Sequence, residues 1–434
     1  MPLFSLSLYT DGALFYYLGM QRTYTSLLSS LYGEQQFSIR DPLWKDIRLP
    51  VSFKPIIGDP VFQKLGRIKQ LGPAFHLYPG AVHTRLDHSL GVYHVGFLIL
   101  SSLLKQAMYG KSVLPCTEEG MKTFLCACLL HDIGHFPFAH SLKELPLKSH
   151  EAIADSLIHQ QGSLYKAIRQ AGIQGEQVGL IIDERLPCDD KEIELYRNIL
   201  SGTLDPDKLD YLNRDAFFCG VPYGTQDVSY ITDQLTVVDT KLAVSEQAMG
   251  SVEHLLFSKY LMYRNVYWHK TTRSATAMIK KAILLSFADG SLNGKDLYGL
   301  DDEQFFLLPS SNASLFAAVR DNSLYRLSYE KAFEAEGELE KQTKDLTKRM
   351  EFEAALASKL GVPESQIIVD IPEPISFESD IPILCEGSVL KHFHDLDQIF
   401  SYDIGRVFTK SLRKFRIFTP SSIPRQAVLE ALEL

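Results

Sequence analysis

Cysteine is scarce in this chain: six in 434 residues, at positions 116, 126, 128, 188, 219 and 385. No two form a CxxC pair and no dense framework emerges. That excludes a disulfide-stapled secreted scaffold and fits free thiols in a reducing compartment. A basic excess is also missing, with 44 Lys and Arg against 53 Asp and Glu and a formal net charge of −9. Nonspecific nucleic-acid binding would need a strong local basic patch to overcome that balance, and no basic run with interleaved aromatics occurs. No uncharged apolar stretch reaches transmembrane length. The opening MPLFSLSLYTDGALFYYLGMQR has no basic residue before Arg22, and Asp11 interrupts its apolar runs, so no signal peptide is expected. Repeats and low-complexity tracts are absent too. What these absences leave is the expectation of a cytoplasmic globular protein without a membrane partner. At 45% hydrophobic and 22% charged residues it is long enough for two or three domains.

Helical periodicity dominates what is present. Residues 41–80 mix extended and turn signals, and RLDHSLGVYHVGFLILSSLLKQAM (85–108) then carries apolar residues at helical intervals. MKTFLCACLL (121–130) is apolar all round and predicts a central core helix. SHEAIADSLIHQ (149–160) is amphipathic with Ser149 as cap, and Asp205 caps a helix that holds Pro206 in its first turn. Residues 251–287 read as one long helix and 329–360 as a charge-laced one. Gly, Asp, Ser and Pro accumulate over 289–311, and 362–384 shifts to β and proline. The expected fold is mainly α. An N-terminal extension (1–40) precedes a helical core (41–290) and a smaller α+β region (291–434).

Chemistry concentrates in LLHDIGHFPFAH (129–140). Adjacent side chains within a helix diverge by about 100°, so His131 and Asp132 can share a cation only where the backbone bends, as at a helix end. Burying both beside FLCACLL is costly unless something binds them. Imidazole and carboxylate suit several divalent metals, and two ligands rarely suffice. His88, three residues after Arg85 on one helix face, and Asp207, in the first turn after Asp205, are candidates for the rest. Taken singly, such a histidine is usually a satisfied core residue and such an aspartate a cap. Tyr211, Arg214 and Asp215 share a face with Asp207, and Lys259, Tyr263, Tyr267 and Lys270 share another. Phosphates favour Lys and Arg, whereas a sugar or base favours aromatic surface and carboxylate acceptors. Two solvated faces with half-buried tyrosines would show the same spacing.

Several segments taken together carry a resemblance: FQKLGRIKQLG (62–72), YPGAVHTRLDHSLGVYHVG (78–96), CLLHDIGHFPFAHSL (128–142), HE (150–151), DPDKLDYLNRD (205–215), GVPYG (220–224) and YRNVYWHKTTR (263–273). In this order they resemble the HD-domain metal-dependent phosphohydrolases, most of all the deoxynucleoside triphosphate triphosphohydrolase branch. The resemblance implies an HD-domain helical core and a divalent ion (Mn, Mg, Fe, Ni or Zn) held by His88, His131, Asp132 and Asp207. It makes His150 the acid or base near the scissile phosphate, with His135 and His140 close by. Phosphate contacts would come from Arg85, Lys208, Tyr211 and Lys259, and sugar 3′-hydroxyl contacts from Gln70 and Asp215. Tyr267, in one stripe with the substrate-side Tyr263, would pack against the sugar and leave no room for a 2′-hydroxyl. The implied partners are a nucleotide substrate, a possible nucleotide effector and further copies of the chain in a homo-dimer or tetramer.

Some positions depart from the family pattern. DPLWK (41–45) stands where DPxHG is usual, and Lys143, followed by Glu144, where an acidic residue is usual. Gly58 and Gly66 replace an Asp and an Arg that bind an activating guanine nucleotide in the SAM-and-HD-domain enzyme, which argues against activation of that kind. The implied reaction releases a deoxynucleoside and inorganic triphosphate. Two other readings are compatible with the same residues. One is an HD phosphohydrolase of a monophosphate, alarmone or cyclic dinucleotide; the other is a nucleotide-binding regulatory protein with little turnover.

Overall fold

The computed structural model describes residues 11–375, 381–386, 389–397, 399–400 and 403–433, with side chains from residue 19 onward. Residues 376–380, inside the expected β- and proline-rich segment, lie outside that set, as do residues 1–10 of the expected N-terminal extension. The architecture is mainly α, with 58% of residues helical and small sheets. Seven helices position the site: α1 (Asp11–Gly33), α2 (Arg85–Met108), α3 (Glu118–Leu130), α4 (His150–His159), α5 (Pro206–Cys219), α6 (Met249–Met262) and α7 (Lys270–Ala288). By length and composition α2 could cross a membrane, but 72% of its apolar window is packed inside the protein. It is the central helix of the core, touching α1, α3 and α5.

Local signals explain where these helices start. Thr84 and Asp87 form a reciprocal capping box at α2. The Ser149 side chain accepts from Ala152 N at α4, and Asp205 accepts from Lys208 N at α5, with Pro206 in the first turn. The end of α3 is apolar on every side, and each residue from Thr123 to Leu130 is buried.

The strands are β1 (Gln36–Asp41), β2 (Lys45–Pro50), β3 (Leu235–Val238), β4 (Lys241–Ser245), β5 (Arg326–Ala332), β6 (Ile368–Asp370), β7 (Pro382–Cys385), β8 (Val389–His392) and β9 (Lys414–Thr419). They form a β1–β2 hairpin, a four-stranded sheet ordered β3-β4-β7-β8 and a three-stranded sheet ordered β5-β9-β6. β4 and β7 pair in parallel, so strands of the C-terminal region extend a hairpin of the helical core. The largest apolar cluster accordingly includes Ile381, Ile383 and Phe393 beside residues of α2, α3 and α5. A second cluster joins Phe136 and Leu142 to α7, Phe305 and Phe316.

Two expected helices are built differently. Residues 251–287 are not continuous. A π turn, Tyr263–Tyr267, follows α6, with Trp268 N–H donating to Tyr263 O (2.9 Å). His269 then caps α7 by accepting from Thr271 N. The extra residue in the turn shifts the stripe, so Lys270 does not share the cleft with Lys259, Tyr263 and Tyr267. In the 329–360 segment, residues 326–332 form a strand and the long helix begins only at Leu346. Charge there alternates with apolar residues at the strand period, and Glu330 lies opposite Arg416, whose Nε donates to it at 2.7 Å. That cross-strand pair outweighs helical propensity.

Candidate active site

α2, α3 and α5 bring four distant donors together. His88 is 1% exposed, its Nε2 3.0 Å from Asp207 Oδ1 and 3.9 Å from Asp132 Oδ2. His131 Nε2 stands 3.4 Å from Asp132 Oδ1 and 4.0 Å from Asp207 Oδ1. Ligand atoms of His88, His131 and Asp132 lie within 4.8 Å of one another. His131 Nδ1 donates to Cys128 O (2.9 Å), which leaves the lone pair on Nε2. That nitrogen is buried and has no hydrogen-bond partner. A lone pair aimed between two carboxylates and joined by a second imidazole is a set of donors that fits a divalent cation.

The electrostatics agree. Burial by itself would depress the His88 pKa, yet hydrogen bonds to Asp207 and Asp210 and their charges raise it to about 10. Burial pushes Asp132 up, but His135, His131 and Arg85 hold it well below the usual carboxylate range. Asp207 is likewise pushed up by burial and drawn down to about 2, chiefly by its hydrogen bond with His88. Both carboxylates are therefore anionic at neutral pH. Arg85 Nη1 donates to Asp132 Oδ2 at 2.6 Å and keeps that oxygen oriented.

Beside the cluster three histidines pack together. The His135 and His150 rings are 4.0 Å apart and those of His135 and His140 4.7 Å, with a 3.0 Å contact between the Nε2 atoms of the latter pair. Burial, followed by the positive field of Arg85, drives His135 well below the ordinary histidine range. His150 is lowered as well, by burial, with Asp132 and Glu151 opposing. Gly134 lets the loop meet α4 closely, since a Cβ there would sit 2.0 Å from His150 O. Phe138 holds a left-handed φ of 63° in the same loop, its ring against Phe305 and Phe306.

A cleft of about 600 Å³ opens from the cluster. Gln70, Arg85, His140, His150, Tyr211, Asp215, Lys259, Tyr263 and Tyr267 all line it, as do His88, His131, Asp132 and Asp207. Two expected site residues do not. His135 is fully buried behind His140. The Lys208 ammonium is drawn to Asp205 Oδ2 (2.5 Å) and Gly202 O (2.9 Å), because the aspartate that caps α5 lies one turn away. Asp215 accepts from Tyr267 Oη (2.6 Å) and pairs with His83 Nε2 (2.9 Å), which fixes the tyrosine ring at the cleft wall.

Sequence reasoning passed over four residues that hold the site in place, Asp210, Trp44, Asp41 and His83. Asp210, fully buried, pairs with His88 Nδ1 (2.8 Å) and with both Nε and Nη2 of Arg214 (2.9 Å each). Trp44 Nε1 also donates to it (2.5 Å), and Asp41 accepts from Arg214 Nη1 (2.8 Å). The altered DPLWK turn is thus wired into the support of His88. The fourth, His83, orients Asp215. The one available signal was the i, i+3, i+4 spacing of Asp207, Asp210, Tyr211 and Arg214; the reach of Trp44 across 166 residues has no local trace. Gly91 permits the approach, since a Cβ there would lie 1.9 Å from Asp210 Oδ1.

Comparison with known proteins matches the HD domain to residues 85–192 and the HD associated region to residues 226–400. The chain is 32% identical over 235 residues to the uncharacterized protein YwfO of Bacillus subtilis, covering 52% of this chain and 50% of that one. It is 28% identical over 298 residues to the human deoxynucleoside triphosphate triphosphohydrolase SAMHD1, covering 60% of this chain and 46% of that one. The chain spans about half the length of these curated relatives. A solved structure of a hypothetical protein from Aquifex aeolicus is similar at a TM-score of 0.71 and 26% identity, covering 92% of this chain and 100% of that one. The HD match contains three of the four converging donors, and the helical architecture around them is shared with that structure; this chain carries an HD domain followed by an HD associated region.

Proposed function

We propose that the protein hydrolyses deoxynucleoside triphosphates to a deoxynucleoside and inorganic triphosphate. The observation that carries this reading is the single cleft of about 600 Å³ with the His–Asp cluster at one end and Gln70, Asp215, Lys259 and Tyr267 along its walls. That volume suits a nucleotide. Relatives from human, Bos taurus and Dictyostelium discoideum are named for the same activity, which supports it.

A divalent ion held by His88, His131, Asp132 and Asp207 would polarise the phosphoryl group and lower the pKa of a bound water. Lys259 offsets charge on the phosphates, while Arg85 keeps Asp132 ionised and oriented. His150, neutral at pH 7, takes a proton from the water that attacks the α-phosphorus. The bond from that phosphorus to the 5′ oxygen breaks, and the oxygen leaves with a proton as the deoxynucleoside hydroxyl. Gln70 Oε1, buried and without a hydrogen-bond partner, accepts from the 3′-hydroxyl. Tyr267, clamped by Asp215, closes the space that a 2′-hydroxyl would need.

A second reading, hydrolysis of another nucleotide phosphoester, is favoured by one feature. Asp132, His135 and His150 form a further donor group within 4.8 Å, so two ions could share Asp132 and clamp a diester. The test is turnover of the four dNTPs, four NTPs and a cyclic dinucleotide with Mn or Mg, with products resolved by phosphorus NMR. Triphosphate release from dNTPs, at least about 100-fold faster than from NTPs, is expected. Equal turnover of both sugars, or diester cleavage alone, overturns the reading.

A further inference from the structure

The loop after the histidines reverses a charge. A single tight turn, Ala139–Leu142, ends at Lys143, and the buried Leu142 and Leu145 anchor it in the apolar cluster around α7. Between those anchors the two charged residues have different fates. Glu144 is engaged through both oxygens, by Lys280 and Arg349. Lys143 lines the catalytic cleft beside His140, Ser141 and His150, and among the described residues no carboxylate pairs with its ammonium. His150 draws its acidic partner from elsewhere, since Glu151 Oε1 stands 3.2 Å from His150 Nε2. Burial lowers the His150 pKa most, and Arg85 and then Lys143 lower it further against Asp132 and Glu151, so the ammonium's charge reaches that imidazole. Four other cations lining the cleft already have carboxylates: Arg85 with Asp132, Lys69 with Asp302, Lys280 with Glu144 and Arg273 with Asp370. Against these, Lys143 stays available to a ligand.

We propose that Lys143 is a catalytic residue of this chain, its ammonium binding a non-bridging oxygen of the phosphate at which His150 acts. An acidic residue is usual at this position in the family that the sequence resembles, and an acid there would repel that phosphate. Lysine binds phosphate as a point charge on a flexible four-carbon stem, so an exposed position at the cleft wall serves it well. The stem is free until substrate arrives, and the contact strengthens as charge shifts among the phosphate oxygens in the transition state. Glu151 supplies the support for His150 that an acid at 143 would otherwise give. This inference rests on the reading of the cleft as a phosphoester hydrolase, and not on which sugar or base it takes.

The test compares the metal-loaded full chain with K143M, K143R and K143E on a dNTP and on the two diastereomers of its α-phosphorothioate. K143M is expected to lower kcat about 100-fold with KM changed less than about threefold, as for loss of a contact made in the transition state. K143R should recover most of that loss, because it restores the charge, and K143E should fall below K143M. Sulfur in place of the bound oxygen should slow the wild type in one diastereomer, and K143M should lose that selectivity. A role confined to shaping the loop would slow both diastereomers and the parent alike, with no change in their ratio. That unchanged ratio in K143M and K143E, or a K143M kcat equal to that of the wild type, overturns the proposal. Absence of dNTP turnover in the wild type counts against the dNTP reading instead, and the same ratio is then read on the phosphorothioate of the ester that is cleaved.

Discussion

Around the HD doublet the protein gathers buried charge and leaves it open, whereas around Lys281, between α7 and the C-terminal region, it gathers buried charge and closes it. His131 Nε2 and His135 Nδ1 have no hydrogen-bond partners although carboxylates stand within 4 Å. Lys281 by contrast donates to Glu353 and Glu364 at 2.7 Å each, and Glu353 also accepts from Val369 N. Glu144, one residue past Lys143, is bound by Lys280 and Arg349; burial pushes it up, yet those two cations hold it at about 2. Closed networks tie the loop after the histidines to the region behind it. The open cluster is a set of donors that fits a divalent cation. Unmet polarity in a dry place marks where a ligand belongs, and met polarity marks where parts are joined.

The contrast breaks most decisively at His131. His131→Ala should lower metal-dependent turnover by at least about 1,000-fold, while folding loses only the one part-buried hydrogen bond from Nδ1 to Cys128 O, about 1 kcal/mol. Turnover within tenfold of the parent would remove the cluster from the chemistry. Lys281→Met is the converse case. It leaves Glu353 buried without its cation and should cost about 3–5 kcal/mol in denaturant unfolding, with turnover per folded molecule unchanged. A loss below about 1 kcal/mol would mean that the closed network contributes little. The smallest effect sharpens the role of His150. Its pKa is lowered by burial, so the neutral base persists as pH falls past 6.5, and the acid limb of kcat should lie below that value. A limb above pH 6.5 would exclude His150 as the base, and His150→Gln should abolish the limb.

Local signals made much of this legible. The caps at Thr84, Ser149 and Asp205, and the apolar run that ends at His131, each depend on neighbours within four residues, so spacing alone revealed them. The same rule misjudged 251–287, because a π turn is a one-residue excess that periodicity over a long window averages away. It misjudged 329–332, the end of a strand, because alternating charge satisfies a helix face as readily as a strand face until Arg416 arrives from 86 residues away. The family resemblance implied Lys208 as a phosphate ligand, yet the aspartate that caps its own helix holds it.

By itself, then, the sequence determined the helix ends and the His–Asp doublet at one of them, since both follow from residue type and short-range backbone geometry, while His88 and Asp207 joined that doublet only through the family resemblance. Only the tertiary structure decided that Asp210, Trp44 and Arg214 brace His88, that His135 lies behind His140, and that C-terminal strands complete a sheet of the helical core. Those relations depend on close packing between segments far apart in the chain, where a missing Cβ at Gly91 or Gly134 sets how near two backbones come.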